Sequence, residues 1–325
     1  MSRLLFEPAA GPLLTLAGLA KRLVLLGRTR RLLMARIVAP DADALYAGEG
    51  ESLAWLARLH GARVEDSRPI PWMRLRRLAD ERDGLFYVEV NRLLRPFLPA
   101  GGFFTVPWMR FTAKISADAG RGGKKLVEAT YGRKVRQQGY TSRLVTGLQA
   151  AEDFHRDFYL PYVLWRFGRD THPRSRWEIR AAVRNGFVLQ ILQGEIPVAA
   201  AACRVRQRSV TLVALGLRGD YADLLHRGAL SAVYYELFRR AREDGLSRVD
   251  LLRSRPHGED GVSLHKRRFG ALPEKDPWPH ALLAIYPPAG SRLPPAARDL
   301  LVEDPRGGMV RLADIAERDH GPLAK

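Results

Sequence analysis

From residue 187 onward, short apolar runs alternate with turn signals. Phe187 to Leu192 is apolar and strand-like, Gly194-Glu195 is a turn, and Pro197 to Arg206 and Ser209 to Leu217 are further strand-like runs joined through Gln207-Arg208. After Gly219 the spacing changes to helical. Leu230, Val233, Tyr234, Leu237, Phe238 and Ala241 form one apolar stripe, closed by Gly245. Arg248 to Leu252 then reads as a buried strand, Ser263 to Phe269 as a helix and Ala281 to Tyr286 as a last strand. The order is strand, strand, strand, helix, strand, helix, strand. It predicts an antiparallel meander that passes into a helix-crossed parallel pair. Such a sheet leaves a gap where neighbouring strands diverge, a slot suited to an extended cofactor arm.

Upstream, the pattern predicts a helix from Asp41 to Gly61 carrying Leu45, Leu53, Trp55, Leu56 and Leu59. Leu85 to Leu94 and Phe103 to Ile115 read as strands, the second marked by Pro107 as an edge or bulge. A helix over Lys124 to Gln138 ends at Gly139, and Tyr140 to Val145 is a strand. A long helix spans Gln149 to Phe167, with a break expected at Pro161. A short helix around Trp177 to Arg184 follows. From Pro287 the chain is Pro-rich and then helix-prone.

The first forty residues differ in kind. Between Glu7 and Asp41 there is no acidic residue, but there are Lys21, Arg22, Arg28, Arg30, Arg31 and Arg36 among many leucines. The uncharged run Pro8 to Ala20 is shorter than the ~20 residues a membrane span needs. Its basic residues follow the apolar run, the reverse of a secretory signal. Residues 12–36 read as a basic, Leu-rich helix, either packed on the domain with its arginines exposed or lying on an anionic membrane surface. The 325 residues carry a formal net charge of +18, which favours anionic partners, although the basic residues are spread along the chain. The single cysteine, Cys203, follows a run of alanines and reads as a packed core residue. Nothing here calls for an oxidising compartment, so the expected location is cytoplasmic, with a peripheral place at the inner face of the membrane as the alternative.

Three stretches carry a resemblance. The first is Lys124 to Tyr140, KKLVEATYGRKVRQQGY. The second is Gly194 to Ala202, GEIPVAAAA, with Arg227-Gly228-Ala229-Leu230, Gly245 and Val249-Asp250-Leu251 after it. The third is Leu264 to Ala271, where Lys266, Phe269 and Gly270 are similar to a lysine, two residues, Phe-Gly signature. Together, over residues 85–286, they resemble the GNAT acyltransferase superfamily in the duplicated form of Fem-type and cellulose-locus (CelD-like) GNAT proteins. The resemblance implies an α/β (α+β) chain of two GNAT-like lobes, each a mixed, mostly antiparallel sheet flanked by helices, the first lobe degenerate. It divides the chain into a basic segment 1–40, a degenerate lobe 41–145, an acyltransferase lobe 146–290 and a tail 291–325. It also implies acyl transfer from acyl-CoA to an amine or hydroxyl of a small metabolite, sugar or envelope precursor. One departure stands out. The family's pyrophosphate loop has a basic or Gln residue and two spaced glycines, whereas this chain offers Leu225-His226-Arg227-Gly228-Ala229.

Acyl transfer needs an anchored donor, an unprotonated acceptor and a donor group for the developing oxyanion. The helix start at Arg227, Gly228 and Ala229 suits a phosphate, because backbone amides and the helix dipole favour an anion. The resemblance adds Leu215, Gly216 and Leu217 on the preceding strand as cofactor-binding positions. Asp250 lies mid-strand in an apolar run, where a carboxylate must be hydrogen-bonded or functional. It and Lys266 are the candidate catalytic residues, against a structural cap and a solvated helix charge as their plainer readings. His226 and His265 are weaker candidates. No metal is expected, since no CxxC, HExxH or clustered His/Asp pattern occurs, and neither a GxSxG elbow nor a Walker loop is present. Trp108, Trp165, Trp177 and Trp278 read mostly as core, with an acceptor groove as the other role. Two alternatives accompany acyl-CoA transfer. One is aminoacyl-tRNA as donor, in the manner of Fem-type proteins. The other is a non-catalytic scaffold at the membrane.

Overall fold

Tyr46, Tyr87, Leu283 and Ile285 are fully buried strand residues from three distant parts of the chain, and they share one sheet. The computed structural model describes residues 32–115, 127–168, 173–274, 281–288 and 293–319. The chain forms two compact units. One comprises Met1–Met109, Ser254–Ser263 and Glu274–Lys325; the other comprises Arg110–Arg253 and Leu264–Pro273.

The first unit holds a six-stranded sheet of β1 (Leu32–Val38), β2 (Ala44–Gly48), β3 (Arg63–Ile70), β4 (Leu85–Asn91), β5 (Phe103–Thr105) and the strand Ala281–Tyr286. The spatial order is β3, β1, β2, β4, Ala281–Tyr286, β5. β2 and β4 are parallel, while Ala281–Tyr286 runs antiparallel to β4 on one side and β5 on the other. Both faces are covered. Tyr46, Tyr87 and Leu283 pack with α1 (Leu53–Leu59) and with Leu300, Val302 and Leu312. On the other face Phe86, Val88 and Tyr286 pack with α2 (Leu75–Asp80). β4 is accordingly buried at all seven positions, as expected of a strand covered on both sides.

Three expectations are corrected by this unit. The helix read from Asp41 to Gly61 is β2 followed by α1, which starts only at Leu53. The basic helix read over residues 12–36 falls mostly outside the described residues, and its end is β1. Leu32, Met34, Ala35 and Ile37 are buried there, and Arg36 pairs with Asp43 at 2.5 Å. Ala, Leu, Met and Arg are good helix formers, but burial in the sheet overrides local propensity. The single strand read over Phe103 to Ile115 is two strands in different sheets, Phe103–Thr105 and Met109–Lys114. The break between them contains Val106 and Pro107, and proline has no N–H to give a ladder.

The second unit is built on a seven-stranded sheet. Its strands are β6 (Met109–Lys114), β7 (Tyr140–Val145), β8 (Gly186–Gln193), β9 (Ile196–Arg206), β10 (Ser209–Leu217), β11 (Arg248–Ser254) and β12 (Leu272–Glu274). The order is β12, β6, β11, β10, β9, β8, β7. β7 to β10 form an antiparallel meander, and β11 joins β10 in parallel. The helices are α3 (Arg133–Gln137), α4 (Leu148–Asp153), α5 (Leu160–Phe167), α6 (Arg176–Arg184), α7 (Tyr221–His226), α8 (Ala229–Glu243) and α9 (Gly261–Arg268). Between α4 and α5 lies a π turn, Phe154–Tyr159, just ahead of Pro161. The wider turn carries the helix past a residue whose ring and missing N–H disturb an α ladder. Ser175 and Glu178 close a reciprocal capping box at the start of α6. α8 packs Val233, Leu237, Phe238 and Ala241 inward, as its stripe predicts.

Two mixed sheets flanked by helices are consistent with two GNAT-like lobes. The predicted order of elements from 187 to 286 is present, but its last strand, Ala281–Tyr286, hydrogen-bonds in the six-stranded sheet.

Candidate active site

β10 and β11 pair only at Ser209–Arg248, Val210–Val249 and Thr211–Asp250. Beyond that point β10 continues to Leu217 against β9 alone. Leu252 on β11 takes a left-handed conformation, φ 58°, two residues past the last pair. A non-glycine residue held there turns the strand away from its neighbour. The N–H of Arg218 donates to Val198 O at 2.9 Å. By the alternation of an antiparallel ladder, the backbone groups of Leu215 and Leu217 then face the opposite edge, which β11 has left. Gly216 lies between them. A methyl group there would stand 2.8 Å from Tyr159 Cα and closer still to the Phe158 carbonyl, so glycine lets the π turn lie directly on β10. One face of β10 is thus covered, and the edge beyond Thr211–Asp250 has no paired strand, with Leu215 partly exposed and Leu217 0% exposed.

Asp250 sits where the two strands part and is 1% exposed. Its Oδ2 accepts from Arg110 Nε at 2.9 Å, from Arg110 Nη2 and from Thr211 Oγ1 at 3.4 Å; its Oδ1 accepts from the Leu252 N–H at 2.9 Å. With these donors fixed on it, the carboxylate is an anchor at the branch point. Lys266, on α9, is 3% exposed. Its Nζ donates to Arg253 O at 3.0 Å and Leu252 O at 3.4 Å and lies 5.5 Å from the centre of the Phe111 ring. Asp250 and Lys266 therefore meet on the same kink of β11, one holding an amide and the other the carbonyls.

The turn between α7 and α8 holds the remaining candidates. Gly228 is the N-cap of α8 at φ 79°, with no side chain capping the first turn. Arg227 turns back to Asp223 and reaches Gln193 Oε1 at 3.5 Å. Lys134 from α3 approaches the loop instead. Its Nζ donates to His226 O at 2.9 Å, and a methyl group on Gly228 would stand 2.9 Å from its Cε. The helix start therefore has a cation beside it that comes from far away in the chain.

Sequence reading misses Lys134 and Arg110 as site residues. Arg110 has one signal, a charge alternating into the apolar run FTVPWMRFTAK. His265 lies among Tyr131, Tyr234 and Phe269, and burial, followed by Arg268 and Lys266, pushes its pKa down to about 4. Cys203 is fully buried, which pushes its thiol pKa up, in keeping with a core role. Trp108, Trp165 and Trp177 are not core: they are 36%, 51% and 74% exposed, while Trp278 lies outside the described residues.

No protein-family model and no curated protein matches the chain. Solved structures similar to it include L-PGS from Bacillus licheniformis, at 13% identity over 80% of this chain and 82% of that one, with a TM-score of 0.40. They also include FemX, at 11% identity over 79% and 83%, TM-score 0.40. A GCN5-related N-acetyltransferase from Sphaerobacter thermophilus is similar at 15% identity over 80% and 78%, TM-score 0.36.

Proposed function

We propose that the seven-stranded unit transfers an acyl group from acyl-CoA to an amine or hydroxyl of a small metabolite, sugar or envelope precursor. The observation that carries this reading is the parting of β10 from β11 after Thr211–Asp250. The unpaired edge at Leu215 offers amide and carbonyl groups to an extended, amide-bearing arm, as a missing strand would. The start of α8 at Gly228 and Ala229, with Arg227 and Lys134 beside it, suits the pyrophosphate. In the reaction the acceptor nitrogen or oxygen attacks the thioester carbonyl and the carbon–sulfur bond breaks. The thiol leaves with the acceptor's proton. An N–H on the unpaired edge of β10 is placed to donate to the oxyanion. Asp250 and Lys266 act here as positioning residues that hold the kink of β11 and so the width of the slot.

The charge of +18 favours one other donor, aminoacyl-tRNA. Calorimetric titration with CoA, acetyl-CoA, long-chain acyl-CoA, and charged and uncharged tRNA, at two salt concentrations, separates the two. Saturable CoA binding that survives added salt is expected. Binding of charged tRNA alone transfers the reading to aminoacyl transfer. Binding of neither removes both and leaves the non-catalytic scaffold. A cytoplasmic location goes with this reading, with residues 12–31 as a contact with an anionic membrane. Among the described residues no helix is long and apolar enough to cross a bilayer.

A further inference from the structure

Two short 3-10 segments, Trp72–Arg74 and Arg92–Phe97, lie on the face of the six-stranded sheet that α2 covers. Each buries some of its apolar residues and leaves others out. Trp72, Leu94 and Leu98 pack on the core of Phe86, Val88 and Tyr286, beside Leu78 of α2. Met73, Leu93 and Phe97 stay 71%, 59% and 62% exposed. The Phe97 ring meets Trp72 edge-on, 5.7 Å between centres, and so joins the two segments into one surface. A single exposed apolar side chain is ordinary, but three on adjoining segments over one core make a patch.

The charges around the patch have one sign. Ser67 to Ala79, SRPIPWMRLRRLA, holds four arginines and no acid. Arg68, Arg74 and Arg76 are exposed and have no ion-pair partner among the described residues. Arg68 stands opposite Met34, a core residue of this same face. The neighbouring acids are already engaged or at the margin. Glu81 holds Arg77 at 2.6 Å, Glu303 holds Arg95 at 3.3 Å, and Asp80 closes the far end of α2.

This sign selects the partner. A second copy would bring the same arginines against these. Residues 12–31 of the chain itself carry Lys21, Arg22, Arg28, Arg30 and Arg31, and would be repelled too. A nucleic acid offers negative charge, but it binds such surfaces by stacking bases on flat side chains, and Met73 and Leu93 present none. An anionic lipid surface offers both things the patch lacks, negative head groups for the arginines and an apolar layer beneath them. We propose that this face of the six-stranded unit docks on an anionic lipid bilayer, with Met73, Leu93 and Phe97 entering below the head groups and Arg68, Arg74 and Arg76 meeting them. The contact is separate from the one assigned to residues 12–31, and it does not depend on the acyl-transfer reading, which concerns the other unit.

The test attaches a polarity-sensitive nitrobenzoxadiazole dye to the M73C variant of the full chain. Cys203 is fully buried, so the dye reacts at position 73. V64C is the control: Val64 is 39% exposed and stands opposite Ile37, which belongs to the core on the other face of the sheet. Vesicles of phosphatidylserine and phosphatidylcholine are compared with phosphatidylcholine alone and with a single-stranded RNA oligonucleotide. With anionic vesicles the dye at 73 should brighten and shift to the blue, and the dye at 64 should not change. Vesicle affinity should fall about tenfold or more in R74E/R76E, whose substitutions lie outside the core. Vesicle binding without a response at position 73 overturns the proposal and leaves the contact at residues 12–31 standing. An equal response to neutral vesicles, a response to RNA alone, a response that rises with protein concentration in the absence of lipid, or affinity unchanged in R74E/R76E also overturns it.

Discussion

Asp250 and Glu89 are both carboxylates buried in mid-strand, and their neighbours give them opposite characters. Asp250 is surrounded by donors from Arg110, Thr211 and its own strand, whereas Glu89 has two donors on one oxygen. Each stands in the sequence as a charge inside an apolar run. Asp250 draws notice there, but Glu89 in LFYVEVN passes for ordinary alternation. The partners are not visible: Arg110 is 140 residues from Asp250. Each contrast gives a prediction. Glu89 ionises at about 7 when folded and near 4.5 when unfolded, so the folded state keeps a proton that the unfolded state loses. Stability should therefore fall as pH rises from 4.5 through 7, by about 3 kcal/mol, and E89Q should flatten that slope in urea unfolding. Groups facing Glu89 are Tyr46, Glu49, Glu51 and Arg255, and none of them replaces its proton. By contrast, Asp250→Ala takes from Arg110 the carboxylate it holds. A loss of about 2–4 kcal/mol is expected in urea unfolding, together with loss of turnover if the slot is the active site. Turnover unchanged in both Asp250→Ala and Lys266→Ala would remove the positioning role.

At the scale of elements, the meander β7 to β10 and the crossover into β11 are legible because turns mark their ends. Gly194 and Gly245 both adopt positive φ at the turns read from them. The helix over Gln149 to Phe167 is legible too, and the expected break at Pro161 is the adjoining π turn. β1 and β2 are not, since Leu, Ala, Met and Arg favour helices and only the tertiary burial makes them strands. The same limit hides Lys134, whose importance lies in reaching another element's first turn. Two substitutions test that turn. Gly228→Ala forces a side chain into the left-handed region and against Lys134. We expect a cost of about 1 kcal/mol and CoA binding weakened about tenfold in calorimetry. Lys134→Gln keeps the backbone and removes the charge, so it should weaken CoA binding and lessen its salt dependence.

At the scale of the whole molecule, neither unit is one continuous stretch of chain. The six-stranded unit is assembled from three separate segments of sequence. No local pattern announces this, because Ala281–Tyr286 has the same apolar character whichever sheet receives it. Removing residues 275–325 should strip β4 of one neighbour and β5 of its one partner in the sheet. Hydrogen exchange should then show protection lost in β4 and β5 while β7 to β10 stay protected. Deleting residues 1–31 tests the proposed membrane contact. Binding to anionic vesicles should drop, and vesicle binding left intact would end that part of the reading.

The late arrival of Ala281–Tyr286 also has a meaning in time. β4 and β5 leave the ribosome about 180 residues before the strand that belongs between them, roughly 10–40 s at ordinary synthesis rates of ~5–20 residues per second. Throughout that interval the nascent chain carries an open, apolar strand edge at Phe86 and Val88. A newborn chain is expected to need that edge shielded until Ala281–Tyr286 arrives. Slowing translation late in the message should lower its yield far more than slowing it early.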